Sequence, residues 1–372
     1  MNKKKILTII LIILFIGFVA ERINTNKSDV YEEQNKRLIK KNKNMLSMNL
    51  EQTAGAGDYK TVTQSGWPTE GYVFNEELSK CENGSTLSWD DTKKTVIMQG
   101  NVSDKCYVYF DLIPSMTLAE YVISQYTGVQ GENGIYYHNS SLENGAGDNS
   151  YRYAGASNNV NNYICLGSDA TTCPDANLFR IIGVFGDQTK VIRAKSVGDQ
   201  KWNTSKANAW SSSSLNTYLN GEYLTNLGTL ADKIATTTWK VGGGSSTYLY
   251  DVPTTAYQYE VGSSASTTTY EAKIGLMYAS DYGFAASSSA WTTKLSSYSS
   301  NTSKNWLYLG SYEWTISRYS GGTTGAFVVG GSGGVGSDAV TSSCAARPSF
   351  NLESSVKYVS GSGTIENPIR IN

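Results

Sequence analysis

Leu178-Phe-Arg-Ile-Ile-Gly-Val-Phe185, a turn at Gly186-Asp187, and then Val191-Ile-Arg-Ala194 is the stretch on which the fold turns. A short apolar run rich in β-branched and aromatic residues, closed by Gly-Asp, reads as a buried strand with its hairpin partner. Downstream, Ser213 to Leu224 reads as an amphipathic helix with Leu215, Tyr218 and Leu219 facing inward, and Leu230 to Ile234 adds a helical turn. Ile274-Gly-Leu-Met-Tyr278 reads as a second buried strand. Glu313-Trp314, Arg318, a glycine-rich hairpin from Gly321 to Gly336 and Ala346-Arg347-Pro348 close the order. A helix set among strands predicts an α+β domain over 163–372.

Upstream the pattern changes. Tyr59 to Val62, Tyr72 to Phe74, Thr86 to Trp89, Thr95 to Met98 and Lys105 to Phe110 are short alternating runs separated by turn residues. They predict a small antiparallel β domain over 58–113. Cys81 precedes one of these strands and Cys106 lies in another, so a disulfide between them would staple a domain with little core of its own. Cys165 and Cys173 enclose seven residues, a spacing that suits a loop-closing disulfide and does not match zinc knuckles. Cys344 is left over. Between the two domains, 114–162 reads as a connecting helix opened by the capping box Thr117-Leu-Ala-Glu120, followed by polar loops.

The first residues decide where the protein works. Lys3-Lys4-Lys5 precedes an apolar run from Ile6 to Ala20, the pattern of an export signal or signal anchor. Its fifteen residues make roughly 22 Å of helix against a hydrocarbon core of ~30 Å, a shortfall that snorkelling lysines and local thinning can absorb. Cleavage after Ala20 would place Phe18 where a small residue is wanted. The expectation is therefore a retained N-terminal membrane helix over 1–22, N-terminus inside, with a polar stalk over 23–57; secretion after cleavage is the alternative. Charged residues make up only 17% of the 372-residue chain, whereas Tyr (26) and Gly (36) are plentiful, a surface suited to an exported β-rich protein. The net charge of −1 supplies no field to attract nucleic acid.

The order of elements from Tyr163 to Asn372, carried by Phe179-Arg180 with its hairpin, Ser214-Leu215 with Tyr218-Leu219-Asn220, Arg347-Pro348 with Asn351-Leu352, and Gly361-Ser-Gly-Thr-Ile-Glu-Asn-Pro368, resembles a family of bacterial exported domains of unknown function with a C-type-lectin-like fold. The resemblance implies that Gly361 to Pro368 is a closing strand. More distantly, Glu313-Trp314, Arg318, the glycine-rich segment and Ala346-Arg347-Pro348 are similar to the end of formylglycine-generating sulfatase-modifying enzymes. Their chemistry needs two reactive cysteines, and this region offers only Cys344. The calcium-binding motifs of the sugar-binding branch are missing too, since Glu366-Asn367-Pro368 has the wrong order.

No catalytic constellation stands out in the residues themselves. His138 is the only histidine and reads as a solvated loop residue. Glu222, Asp232 and Glu313 could supply a carboxylate pair for glycoside hydrolysis, but no spacing selects two of them. The Gly-rich runs lack the Lys-Ser/Thr of a phosphate loop. No cofactor or metal is expected. Trp291, flanked by Ser and Thr in a polar insertion from Ala285 to Lys304, is the tryptophan expected to be exposed and to touch a ligand. The expectation is a membrane-attached extracellular binding, adhesion or display module with a glycan or protein ligand. An envelope enzyme, a hydrolase or a degenerate relative of the sulfatase-modifying enzymes, and a structural surface protein are the alternatives.

Overall fold

The computed structural model describes residues 46–372 apart from 64, 65, 69, 70, 102 and 114. The chain divides into two compact units, Met1–Ser115 and Met116–Asn372.

The first unit holds β1 (Leu46–Glu51), β2 (Tyr59–Val62), β3 (Tyr72–Cys81), β4 (Thr86–Asp90), β5 (Thr95–Gln99) and β6 (Cys106–Leu112). Four of them form a sheet in the order β2-β1-β6-β3, while β4 and β5 pair as a separate hairpin. The sheet is mixed, because β1 runs parallel to β6 with Leu46 opposite Cys106 and Leu50 opposite Phe110. This corrects the expectation of an antiparallel unit, and β1 lies within the span read as stalk. Alternate residues of β6 (Cys106, Val108, Phe110) enter the core with Met48, Leu50 and Leu87, the two-residue period of a strand with one buried face. Cys81 and Cys106 stand opposite each other in register and are joined.

The second unit holds β7 (Ile135–Tyr137), β8 (Tyr151–Tyr153), β9 (Tyr163–Cys165), β10 (Leu178–Phe185), β11 (Gln188–Arg193), β12 (Asp199–Lys201), β13 (Thr237–Lys240), β14 (Thr269–Ala272), β15 (Ile274–Gly275), β16 (Glu313–Arg318), β17 (Gly325–Val329), β18 (Val335–Ala339), β19 (Ser343–Ala345), β20 (Ser349–Leu352), β21 (Tyr358–Ser360) and β22 (Arg370–Ile371). The principal sheet runs β15-β20-β11-β10-β8-β7 with β9 also on β10, and a second runs β12-β19-β16-β17-β18. The β10–β11 hairpin is the centre of the principal sheet. Leu178 to Val184 are buried on both faces, which explains a continuous apolar run where a half-exposed strand would alternate. Gly183 sits at a register shift where any Cβ would fall 2.1 Å from the Tyr151 carbonyl oxygen, so the approach of β8 requires glycine there.

The described residues are sheet-rich, 34% strand to 20% helix, and this overturns the expected α+β fold class. The helices among the described residues are short. Pro253–Glu260 spans eight residues, and the helical run from Ser214 changes pitch at Leu219–Tyr223 before a last turn at Leu224–Asn226. Ser, Thr, Asn and Gly dominate the intervening segments and compete with helix for backbone hydrogen bonds. Gly361 to Pro368, read as a closing strand, is instead the turn between β21 and β22, with Gly361 and Gly363 at positive φ. No helix among the described residues is long and apolar enough to cross a membrane. The expected membrane helix over 1–22 and most of the stalk lie outside the described residues.

Candidate functional site

Two sets of charged side chains lie in the second unit, one sealed and one open. The sealed set centres on Asp281, in the helix Ala279–Phe284. Its carboxylate caps that helix by accepting from the Tyr278 N–H at 2.9 Å. The same oxygen, Oδ2, lies 2.5 Å from Lys190 Nζ, and Arg152 Nη1 stands 3.7 Å from Oδ1. Arg152 also donates to Asp148 at 2.6 Å and to Ser150 at 2.7 Å. Burial works to raise the Asp148 carboxyl, but the Arg152 charge and the Ser150 hydrogen bonds outweigh it and hold the group at about 2. Aromatic rings enclose both cations: Phe185, Trp239 and Tyr278 around Lys190, and Phe185, Tyr257 and Phe284 around Arg152.

Three more buried groups are tied in the same manner. Arg347 grips Glu313 through two contacts of 2.6 and 2.8 Å and donates to the Leu307 carbonyl. Burial pushes the Glu313 carboxyl up while Arg347 opposes the shift. Glu260 accepts from the Ala279 and Ser280 amides at 2.9 Å and from the Ser317 hydroxyl; burial raises it as well. Arg180 donates to Asn162 and Ser157, and burial lowers it to about 10. All lie away from water, where a soluble substrate cannot reach them. They hold strands, loops and helices together.

The residues singled out from sequence fall on both sides of this division. Trp291 is a correction. It is 1% exposed, donates its indole N–H to the Ala286 carbonyl at 3.0 Å, and packs edge-on against Tyr136 and Phe284. Its Ser and Thr neighbours supply the turns around it, and those turns carry the ring inward. His138, expected in solvent, is fully buried beside Trp291 and Phe284. Its Nδ1 accepts from the Ala146 amide at 3.0 Å, and Nε2 has no partner. Burial first, then the Arg152 charge, keeps the ring neutral well below the ordinary histidine range. Cys344 is a buried thiol that burial pushes up to about 11, out of the nucleophilic range. Glu222 and Asp232 are exposed and Glu313 is committed to Arg347, so the structure does not assemble them into a carboxylate pair.

The open set surrounds a groove of about 630 Å³. One wall is the loop closed by the Cys165–Cys173 disulfide. Arg370, on β22, donates to three carbonyls of that loop: Ser168 and Ala170 at 2.7 Å and Thr171 at 3.3 Å. Thr229, Leu230 and Lys233 form another wall, and Val359 and Ser360 with Glu366 through Pro368 and Arg370 through Asn372 complete the lining. Asp169 and Glu366 are exposed and Lys233 is half-buried. All three line the groove, while the loop carbonyls occupy Arg370. No aromatic side chain lines the groove. Sequence reasoning located the disulfide loop but not the groove, because its other wall comes from the end of the chain. The two disulfides fit a protein that matures outside the cytoplasm. No family model, curated protein or solved structure matches this chain, so its activity has to be read from its own residues.

Proposed function

We propose that the protein is an extracellular binding module whose ligand site is the groove beside the Cys165–Cys173 loop. The observation that carries this reading is the placement of charge: the buried carboxylates and cations described above are committed to internal partners, while Asp169, Lys233 and Glu366 line a cavity of ligand size. Without an aromatic platform the groove has nothing on which a sugar ring can stack, and its mix of carboxylates, an ammonium and aliphatic side chains such as Val359 and Leu230 suits a peptide segment of a protein ligand. The N-terminal apolar run would deliver the chain across the membrane. In this proposal that run also retains the chain at the cell surface with its N-terminus inside; secretion after cleavage is the alternative.

The test is a parallel screen of glycan and host-protein arrays with the full chain and with Lys233→Glu. A protein ligand bound by the parent and lost, or weakened at least about tenfold, in the variant supports the groove. A ligand that both bind equally, or only glycans bound, places recognition elsewhere. Hydrolysis of a cell-wall polymer by the parent would turn the assignment toward an envelope enzyme.

A further inference from the structure

We propose that Lys190 and Asp281 become joined by an amide bond that the folded protein forms on its own side chains. Lys190 lies on β11 in the middle of the principal sheet, and Asp281 lies on the helix packed against that region. Their side chains are 7% and 3% exposed, and Nζ lies 2.5 Å from Oδ2. Rings of Phe185, Trp239 and Tyr278 stand 5.7, 5.5 and 4.7 Å from the nitrogen, so water has little access to the pair. The arrangement holds an amine against a carboxyl carbon in a dry site, the condition under which proximity replaces an external catalyst.

The chemistry balances without a co-reactant. One proton passing from Nζ to Oδ2 along the existing contact converts the ion pair to an amine and a carboxylic acid. Nζ then adds to Cγ. Negative charge develops on Oδ1, which faces the Arg152 guanidinium at 3.7 Å and can be stabilised by it. The Cγ–Oδ2 bond breaks, and Oδ2 leaves as water with two of the three protons that began on Nζ. Net charge is zero before and after. The Tyr278 amide, 2.9 Å from Oδ2, keeps the carboxyl turned so that Oδ1 faces Arg152 and Oδ2 faces the lysine.

Two other ion pairs show why this one is singled out. Lys195 and Asp175 are also 2.5 Å apart, but their side chains are 63% and 67% exposed, so water stabilises both charges. Glu313 and Arg347 are as deeply buried as Lys190 and Asp281, yet the delocalised guanidinium stays protonated and is no nucleophile. Among these three, only the Lys190–Asp281 pair combines an amine with exclusion of water. The bond would close a loop between positions 91 residues apart and, unlike the two disulfides, would survive any thiol reductant.

The test is mass spectrometry of the full chain purified from its native cells, reduced and then digested. A branched peptide carrying residues 190 and 281, lighter than its two parts by one water and uncleaved after Lys190, is the expected result in most molecules. Lys190→Arg should release both peptides as separate linear species of full mass. Linear peptides bearing unmodified Lys190 and Asp281 from the folded parent protein would overturn the proposal, and no variant is needed to read that outcome.

Discussion

The buried charges around Asp281, Glu313 and Glu260 and the open charges around the Cys165–Cys173 groove are built from the same residue types, yet they answer opposite demands. Inside, every ionised group is expensive to desolvate, so each is met by a counter-charge or by several hydrogen bonds, and the arrangement is fixed. At the groove, water already satisfies Asp169, Lys233 and Glu366, so no internal partner is required and the charges remain available. Composition alone does not separate the two. What separates them is the number of partners each group has been given.

The sharpest way to break this comparison is to orphan one inner charge. Glu313→Ala leaves the Arg347 guanidinium buried without its carboxylate and should cost about 3–5 kcal/mol, read as a lowered midpoint in denaturant unfolding. A loss below about 1 kcal/mol would mean the pair behaves like a surface bridge. The next effect belongs to the groove. Cys165→Ser with Cys173→Ser opens a short loop and should cost about 2–3 kcal/mol by chain entropy. It should also weaken any groove ligand more than Cys81→Ser with Cys106→Ser does, since that pair lies in the other unit.

The smallest effect is graded by pH. His138 has a folded-state pKa well below its ordinary 6.5, so the unfolded chain takes up the proton first. Stability due to this group is complete above about pH 6.5 and is lost as pH falls toward the folded value, at up to ~1.4 kcal/mol per pH unit. Unfolding of the parent and of His138→Gln, compared at pH 7.5 and 5.5, should show the steeper fall in the parent. Equal slopes would mean that His138 finds a partner for its proton in acid.

How much of this was legible in the sequence depended on the range of each interaction. Leu178 to Phe185 announced a buried strand because both of its faces are apolar, and the two disulfides join cysteines only 25 and 8 residues apart. Lys190 gave a fainter signal, a cation beside Val191 and Ile192 in the part of the strand that proves to be buried. Trp291 misled because Ser and Thr surround it in sequence, while two of the residues that share its core, Ala146 and Ala154, come from a distant segment of the chain. The groove was out of reach. Arg370 and Ser168 meet across 202 residues, and no local pattern encodes such a meeting. The pairing of β1 with β6 was hidden for the same reason, and the polar residues before Leu46 made the strand look like part of a stalk.

That parallel pairing has a mechanical consequence. The first and last strands among the described residues of the first unit are neighbours pointing the same way, so a pull on the chain before Leu46 and an opposing pull beyond Leu112 slide β1 and β6 past each other along their length. The backbone bonds between them then share the load and must fail together, whereas an antiparallel pair pulled from adjacent ends would unzip one bond at a time. If the chain is tethered ahead of Leu46 and a ligand tugs on it beyond Leu112, this small stapled unit meets the force in shear.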